Sequence, residues 1–567
     1  MALSTASPSP LGPTRVPSPT PSSGALASPS SPAESAASSA DTYHASAAPE
    51  APPSTEGTTV RVAFTPQDPA TLATVETRIA RDHIGATMSG PRVTMDDKTP
   101  AAAPDANGDY IFAPGTPGFQ QANAFACTDK TLGLFEKYVG HEIKWAFEGP
   151  LKIHPHFKDG FNAFYLRLDH SVNFFDGTDN KLGVVMHGSE SLDVVSHEVG
   201  HAVLDGMKPG LIGWFGSDEA KSFHESFGDV AAMLTALNED TVLDALVSQT
   251  GGDLHKPNLV TALAEQFSRG VNDEMLGGRK PDDWTIRNAN NRYVYQDPST
   301  LPTKPGDPDV LTKEPHSFSQ IFTGACWDIV AGMTAANKVR GLSTRDAIVA
   351  ARDAFGPLYA HTVELGPDKM KSYSEMAKAM LVADQRYFNG QHAAIIGDVF
   401  TQRNIAHTDA TAAPTRLPGL SLGSGAQTTL AQADTFLSGA RQSLGVASDT
   451  PLTAEKVWSN DCGETFVRYG YTEAVDLDPH TFTEVGGTLT LGFGSDGALF
   501  HRMYEPVDDA TRAEVRADAA RVMARRSVAL TAPTQASDLR RPDGMPFEAW
   551  IEKAGDRNKL VKVPMAS

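Results

Sequence analysis

The chain has 567 residues, a hydrophobic fraction of 40% and a formal net charge of −21 at pH 7. That length holds two or three domains, and that charge argues against nucleic acid or another polyanion as partner. No apolar run is long enough to span a membrane. The three cysteines (Cys127, Cys326 and Cys462) are far apart with no CxxC pair, which argues against a disulfide framework.

The opening MALSTASPSPLGPTRVPSP has neither a basic start nor an apolar core. It does not read as a Sec signal, so the expected location is cytoplasmic, or exported by a non-Sec route. Residues 1–57 are Ser, Pro and Ala with few large apolar side chains, too few to offset the entropy of ordering, and read as a disordered tail. Such a tail is either a solvated extension or a recognition element for an export device. Residues 58–117 read as a lead-in with short strands, the first at TTVRVAF, 58–64. Leu132, Phe135 and Val139 recur at helical spacing and Gly140 closes that helix. Ile143, Trp145 and Phe147 alternate with polar residues and predict a strand. Residues 161–180, FNAFYLRLDHSVNFFDGTDN, read as strands of a hairpin.

Ser191 is placed to cap a helix with Asp193 in its first turn, where the dipole favours an anion. A hinge over 206–216, rich in glycine and holding Pro209, precedes a second helix starting near Ser217, whose apolar side is Val230, Met233, Leu234 and Leu237. An Asn-, Asp- and Gly-rich segment then runs to about Lys313. PHSFSQIFTGACWDIVAG, from Pro315, reads as a loop followed by an apolar helix. Residues 336–406 are helical, with a capping box at Ser372 and Glu375 and a core stripe of Met376, Met380 and Leu381. Residues 407–450 read as a linker with one weak helix, and 451–567 as a small α+β domain. In that domain a hairpin crosses Gly494–Gly497 and a helix covers Asp508–Arg526, with no catalytic constellation; a binding or stabilising role is the default.

The chemistry concentrates in DVVSHEVGHAVLDG and SDEAKSFHESFGDV. His197 and His201 are four apart, so on a helix their imidazoles share one face and can share one metal ion. Glu198 points about 100° away from His197, placed for a proton on metal-activated water rather than for the metal. Two imidazoles leave a tetrahedral site short of a third protein ligand. Glu225, on the second helix, supplies it, and Asp229, one turn on, accepts the free N–H of a ligating histidine. The donor set predicts Zn2+, and no glycine and third histidine follow His201 at metzincin spacing.

LDVVSHEVGHAVLDG followed by HESFGDV resembles the paired active-site helices of the thermolysin-like zinc metallopeptidases, of the gluzincin type, over roughly residues 118–406. The resemblance implies an α+β fold of two lobes: a β-rich N-lobe carrying the active-site helix (118–206) and a mainly helical C-lobe (207–406). DQRYFNGQHAAIIGDVFTQRNI is similar to the last helices of that fold. Asn162, Ala163, Phe164 and Tyr165 resemble the Asn-Ala-Phe-Trp edge strand that holds peptide substrates by their backbone, and Phe174–Gly177 resembles the strand after it. Arg287 is similar to the arginine that grips the substrate carbonyl. His316, just before its helix, resembles the histidine that stabilises the oxyanion, with Glu314 or Asp309 as its orienting carboxylate. Val194 and Ile286 fall where the family lines its primed-side pocket.

In the family the acid at the position of Asp193 contributes to a calcium site. Calcium is thus an allowed cofactor whose other ligands are not identifiable, and Asp193 is read as a first-turn charge. One departure is that Gly213 and Trp214 stand where the family has a tyrosine. The expected function is a zinc-dependent metalloendopeptidase acting on a peptide or protein substrate, with Glu198 as general base. An alternative is a delivered effector or binding protein in which this region is a scaffold and the C-terminal domain recognises a partner. A third possibility is autoprocessing, with the first 100 or so residues inhibitory.

Overall fold

The computed structural model describes residues 58–179, 183–213, 217–275, 280, 285–303, 310–408, 420–422, 428–531, 547–563 and 565–566. The expected tail (1–57), much of the expected linker, Trp214 and Asp309 lie outside these. The fold of the described residues is mixed α/β.

β1 (Thr59–Phe64) forms where Val60, Val62 and Phe64 face inward, and pairs antiparallel with β2 (Val75–Ala80). A one-turn α1 (Arg81–Ile84) and β3 (Val93–Met95) lead to α2 (Pro117–Val139). The α2 ends follow from its residues. The Thr116 side chain accepts from Phe119 N, Pro117 opens the first turn, and Gly140 closes the helix at φ 70°, bonding back to Glu136 O. The strand expected over Ile143, Trp145 and Phe147 is absent, for residues 141–150 are irregular. Their backbone and indole groups are satisfied elsewhere: Ile143 N donates to the Glu136 carboxylate at 2.9 Å and Trp145 Nε1 to Arg92 O at 2.9 Å. The alternation reflects where these side chains pack, not a ladder.

A sheet follows from β4 (Leu151–Asp159), β5 (Ala163–Leu166), β6 (Ser171–Asp179) and β7 (Val184–His187). β6 lies parallel to β4 and antiparallel to β5 and β7, while β3 adds to β4 in parallel. Against β5 and β6 lies α3 (Leu192–Met207), capped by Ser191. A single turn, α4 (Gly210–Gly213), falls within the expected hinge, and Ser217 caps α5 (Asp218–Leu237), which packs along α3. After α6 (Asp240–Thr250), β8 (Ala262–Leu263) and α7 (Glu265–Met275), β9 (Arg287–Asn288) pairs with β8.

The helices α8 (Pro315–Val339), α9 (Thr344–Leu365), α10 (Tyr373–Tyr387) and α11 (Ala393–Gln402) complete this part. The Glu375 carboxylate accepts from Ser372 N at 3.3 Å, as a capping box requires. One apolar core runs from Val60 on β1 through Val199 and Phe227 on α3 and α5 to Phe400 on α11.

Helix α12 (Leu430–Ala440) lies in the expected linker. Then come β10 (Thr453–Ser459), β11 (Thr465–Asp478), β12 (Thr481–Phe493), β13 (Leu499–Glu505), α13 (Asp509–Ala524), β14 (Val528–Ala529), β15 (Ala549–Ala554), β16 (Arg557–Lys562) and β17 (Met565–Ala566). The hairpin expected across Gly494–Gly497 is β12–β13. The sheet runs β10-β11-β12-β16-β15-β14, with β16 joining β12 in parallel. β17 leaves it and pairs antiparallel with β5, setting Met565 opposite Leu166. Ala529, Trp550 and Val563 pack on Phe164, Leu166 and Phe175 of the first sheet. Among the described residues no helix is long and apolar enough to cross a membrane.

Candidate metal centre and cleft

The centre exists because two helices cross at glycines. A Cβ on Gly200 would stand 2.9 Å from the Ala231 Cβ and 3.1 Å from the Gly228 Cα, and one on Gly228 would stand 2.7 Å from the His197 ring. Only glycine at both positions lets α3 and α5 approach this closely. The approach brings His197, His201 and Glu225 together, buried, with one donor atom of each within 4.8 Å of the others. The two rings are edge to face, centroids 4.6 Å apart. Glu225 Oε2 lies 3.4 Å from His197 Nε2 and 3.8 Å from His201 Nε2.

Both Nδ1 atoms are turned to other groups, leaving Nε2 toward Glu225. His197 Nδ1 lies 3.0 Å from Asp229 Oδ1, the contact expected from the sequence. His201 Nδ1 lies 2.7 Å from Nδ1 of His224, a buried residue that sequence reasoning missed. Burial and the neighbouring His197 charge hold His201 well below its ordinary pKa. Burial takes His224 down to about 3. Both rings are therefore neutral, the state in which one Nδ1–H can donate to the other ring and leave His201 Nε2 a bare acceptor. Glu198 Oε2, His201 Nε2 and Glu225 Oε2 are all buried without a hydrogen-bond partner. Orphaned acceptors of this kind are costly, and a divalent cation bound by N, N and O donors satisfies them. The residues present fit a metal.

Around this centre lies a cleft of about 360 Å³ whose lining includes Asn162, Ala163, Val194, Glu198, Ile286, Arg287 and His316. Burial pushes the Glu198 carboxyl up to about 7, with the Glu225 carboxylate adding to the effect against His197. Arg287 places Nε 3.0 Å from Asp229 Oδ1 and a terminal nitrogen 3.3 Å from His197 Nδ1. His316 lies in the first turn of α8, not before it as expected, because Pro315 occupies N1 and Glu314 is the cap. That cap is also the orienter: Glu314 Oε1 meets His316 Nδ1 at 2.6 Å while Oε2 accepts from Ser317 N. Burial opposes the charged imidazole, but Glu225 and Glu314 outweigh it and raise His316 to about 9. Its Nε2 lies 3.3 Å from Glu225 Oε2.

Asn162 sits just before β5, its carbonyl accepting from Phe175 N at 3.1 Å. The edge expected to be open is partly taken, since β17 covers Tyr165 and Leu166; among the described residues no strand pairs with Ala163 on that side. A neighbouring hollow of about 470 Å³ is lined by His224, Glu225 and His316 together with Asp518, Arg521 and Lys562 of the C-terminal sheet region. Asp193, at the start of α3, accepts from Gln67 Nε2 at 2.6 Å, near Glu265. Burial and neighbouring carboxylates push Asp193 upward and Glu265 up to about 10.

Neither a protein-family model nor a curated protein matches this chain.

Proposed function

We propose that the chain is a zinc-dependent metalloendopeptidase of two-lobed, thermolysin-like architecture. The observation that carries this reading is the convergence of ligand atoms from the buried His197, His201 and Glu225, with His201 Nε2 and Glu225 Oε2 left without a hydrogen-bond partner, beside the orphaned carboxyl of Glu198 in a cleft that His197 and Glu198 line. A zinc ion held by those three residues supplies Lewis acidity, lowering the pKa of water and polarising the scissile carbonyl. Glu198, poised near neutrality, takes the proton of the attacking water and returns it to the leaving amine. Arg287 and protonated His316 offer N–H donors where negative charge develops. Asn162 and Ala163 present backbone groups to an extended peptide.

Digestion of casein by zinc-loaded protein, with Glu198→Gln as control, tests the reading. Cleavage is expected in the wild type and should fall by about 10²–10⁴-fold in the variant, which still binds zinc. A wild type that holds zinc but cuts nothing would favour a binding or delivered effector protein instead.

A further inference from the structure

A second set of donors lies on the sheet, on elements that carry none of the ligands described above. Register places Asp176 of β6 directly opposite His187 of β7. On the other side of β6 the parallel ladder of β4 breaks between His154 and Lys158, where Pro155 has no N–H to donate. The bulge re-aims His156 beside Asp176. His156 Nδ1 lies 3.0 Å from Asp176 Oδ2, and His187 Nδ1 lies 2.6 Å from Oδ1. One donor atom from each of the three lies within 4.8 Å of the other two.

A pair of imidazoles sharing one carboxylate explains these contacts only in part. If both Nδ1 atoms carry protons for Asp176, Nε2 of a neutral His156 is a bare acceptor. That atom is buried without a hydrogen-bond partner, 3.9 Å from Asp97 Oδ2, and Asp97 Oδ1 is orphaned too. Acceptor then faces acceptor at a buried position, which is costly. Moving the proton from Nδ1 to Nε2 reverses this. Nε2–H then lies on the Asp97 side, 3.9 Å from its Oδ2, and the Nδ1 lone pair faces Asp176 Oδ2 at 3.0 Å, two acceptors that a shared cation would satisfy. A carboxylate behind a histidine whose other nitrogen faces a cation is the usual support of a protein metal ligand. The side chains of His156, Asp176 and His187 are 14%, 19% and 20% exposed, so solvent can complete the coordination. Two imidazoles and one carboxylate suit zinc and its transition-metal neighbours better than magnesium or calcium.

We propose that His156, Asp176 and His187 form a second site for a divalent transition metal of the zinc class, one that ties β4, β6 and β7 together. The site is independent of the first centre and of any peptidase activity.

Stripping the full chain of metal, titrating Zn2+ and measuring bound zinc by mass spectrometry after gel filtration tests this. Two equivalents are expected in the wild type, one in His201→Ala, one in His187→Ala and none in the double variant. In His201→Ala, Co2+ should give visible d–d absorption and Zn2+ should raise Tm, and both effects should vanish when His187→Ala is added. Should His187→Ala fail to fold, His201→Ala alone still decides. Loss of all zinc in His201→Ala overturns the proposal and leaves a protonated His156 as the occupant. Zinc lost with His187→Ala but unaffected by His201→Ala would support this site and overturn the first centre instead.

Discussion

His201 shows how much depends on a single neighbour. Its Nδ1 contacts His224 rather than a carboxylate, so the tautomer that frees Nε2 is set by a second neutral imidazole. Replacing His224 by alanine should weaken zinc binding about 10–100-fold, read by competition with a chromogenic chelator. His224→Asn, which keeps an acceptor, should recover most of that loss; equal weakening by both would assign His224 a packing role only. His197, Glu198, His201, Glu225 and Asp229 were legible because each group repeats within one helix, where spacing fixes the face. His224 was not, since its contact depends on how α3 crosses α5. His156, Asp176 and His187 were equally hidden, being neighbours across three strands whose register no local pattern encodes.

At the scale of elements, the α3–α5 crossing is the decisive contact. Gly228→Ala forces a methyl against the His197 ring, which must turn away from Asp229 or push the helices apart. The expected outcome is a loss of about 1–3 kcal/mol in unfolding free energy together with weaker zinc binding. Denaturant melts and zinc titration check it, and an unchanged zinc affinity would show the crossing to be looser than described. The start of α3 was readable from its serine cap, Ser191, and α5 starts near Ser217 as expected, with that serine as its cap. α8 starts at Pro315, ahead of the loop expected there, because proline at N1 opens a helix. The strand predicted over 143–147 failed because alternating burial arises in any segment pressed on a core.

Across the whole molecule, Glu364 of α9 joins the helical part to the C-terminal sheet. Its Oε1 accepts from His141 Nε2 at 2.8 Å and from Trp458 Nε1 at 3.0 Å, and its Oε2 meets His361 Nδ1 at 2.9 Å. Burial alone would raise the carboxyl, but its bonds to His141 and His361 hold it well below the usual carboxylate range. Burial likewise opposes charge on His141, and Glu364 outweighs it so that the imidazole is raised. The Glu364 contribution is present above its unfolded pKa and lost as pH falls through the depressed folded value. The His141 contribution is present below its unfolded pKa and lost as pH rises through the raised folded value. Both are in force between about pH 4.5 and 6.5. Glu364→Gln should therefore cost about 2–3 kcal/mol in that window and less above it. Thermal melts across pH would show this, and a pH-independent loss would contradict the charge argument. This junction, like the return of β17 to β5, was not legible, since nothing local marks a contact between segments so far apart in the chain.

The most direct test of the first centre is anomalous diffraction at the zinc edge from crystals of zinc-soaked His187→Ala. A single strong peak within bonding distance of His197 Nε2, His201 Nε2 and Glu225 is predicted. Crystals that show no peak there, with the three side chains hydrogen-bonded to one another or to water instead, would contradict the metal centre and the peptidase proposal built on it.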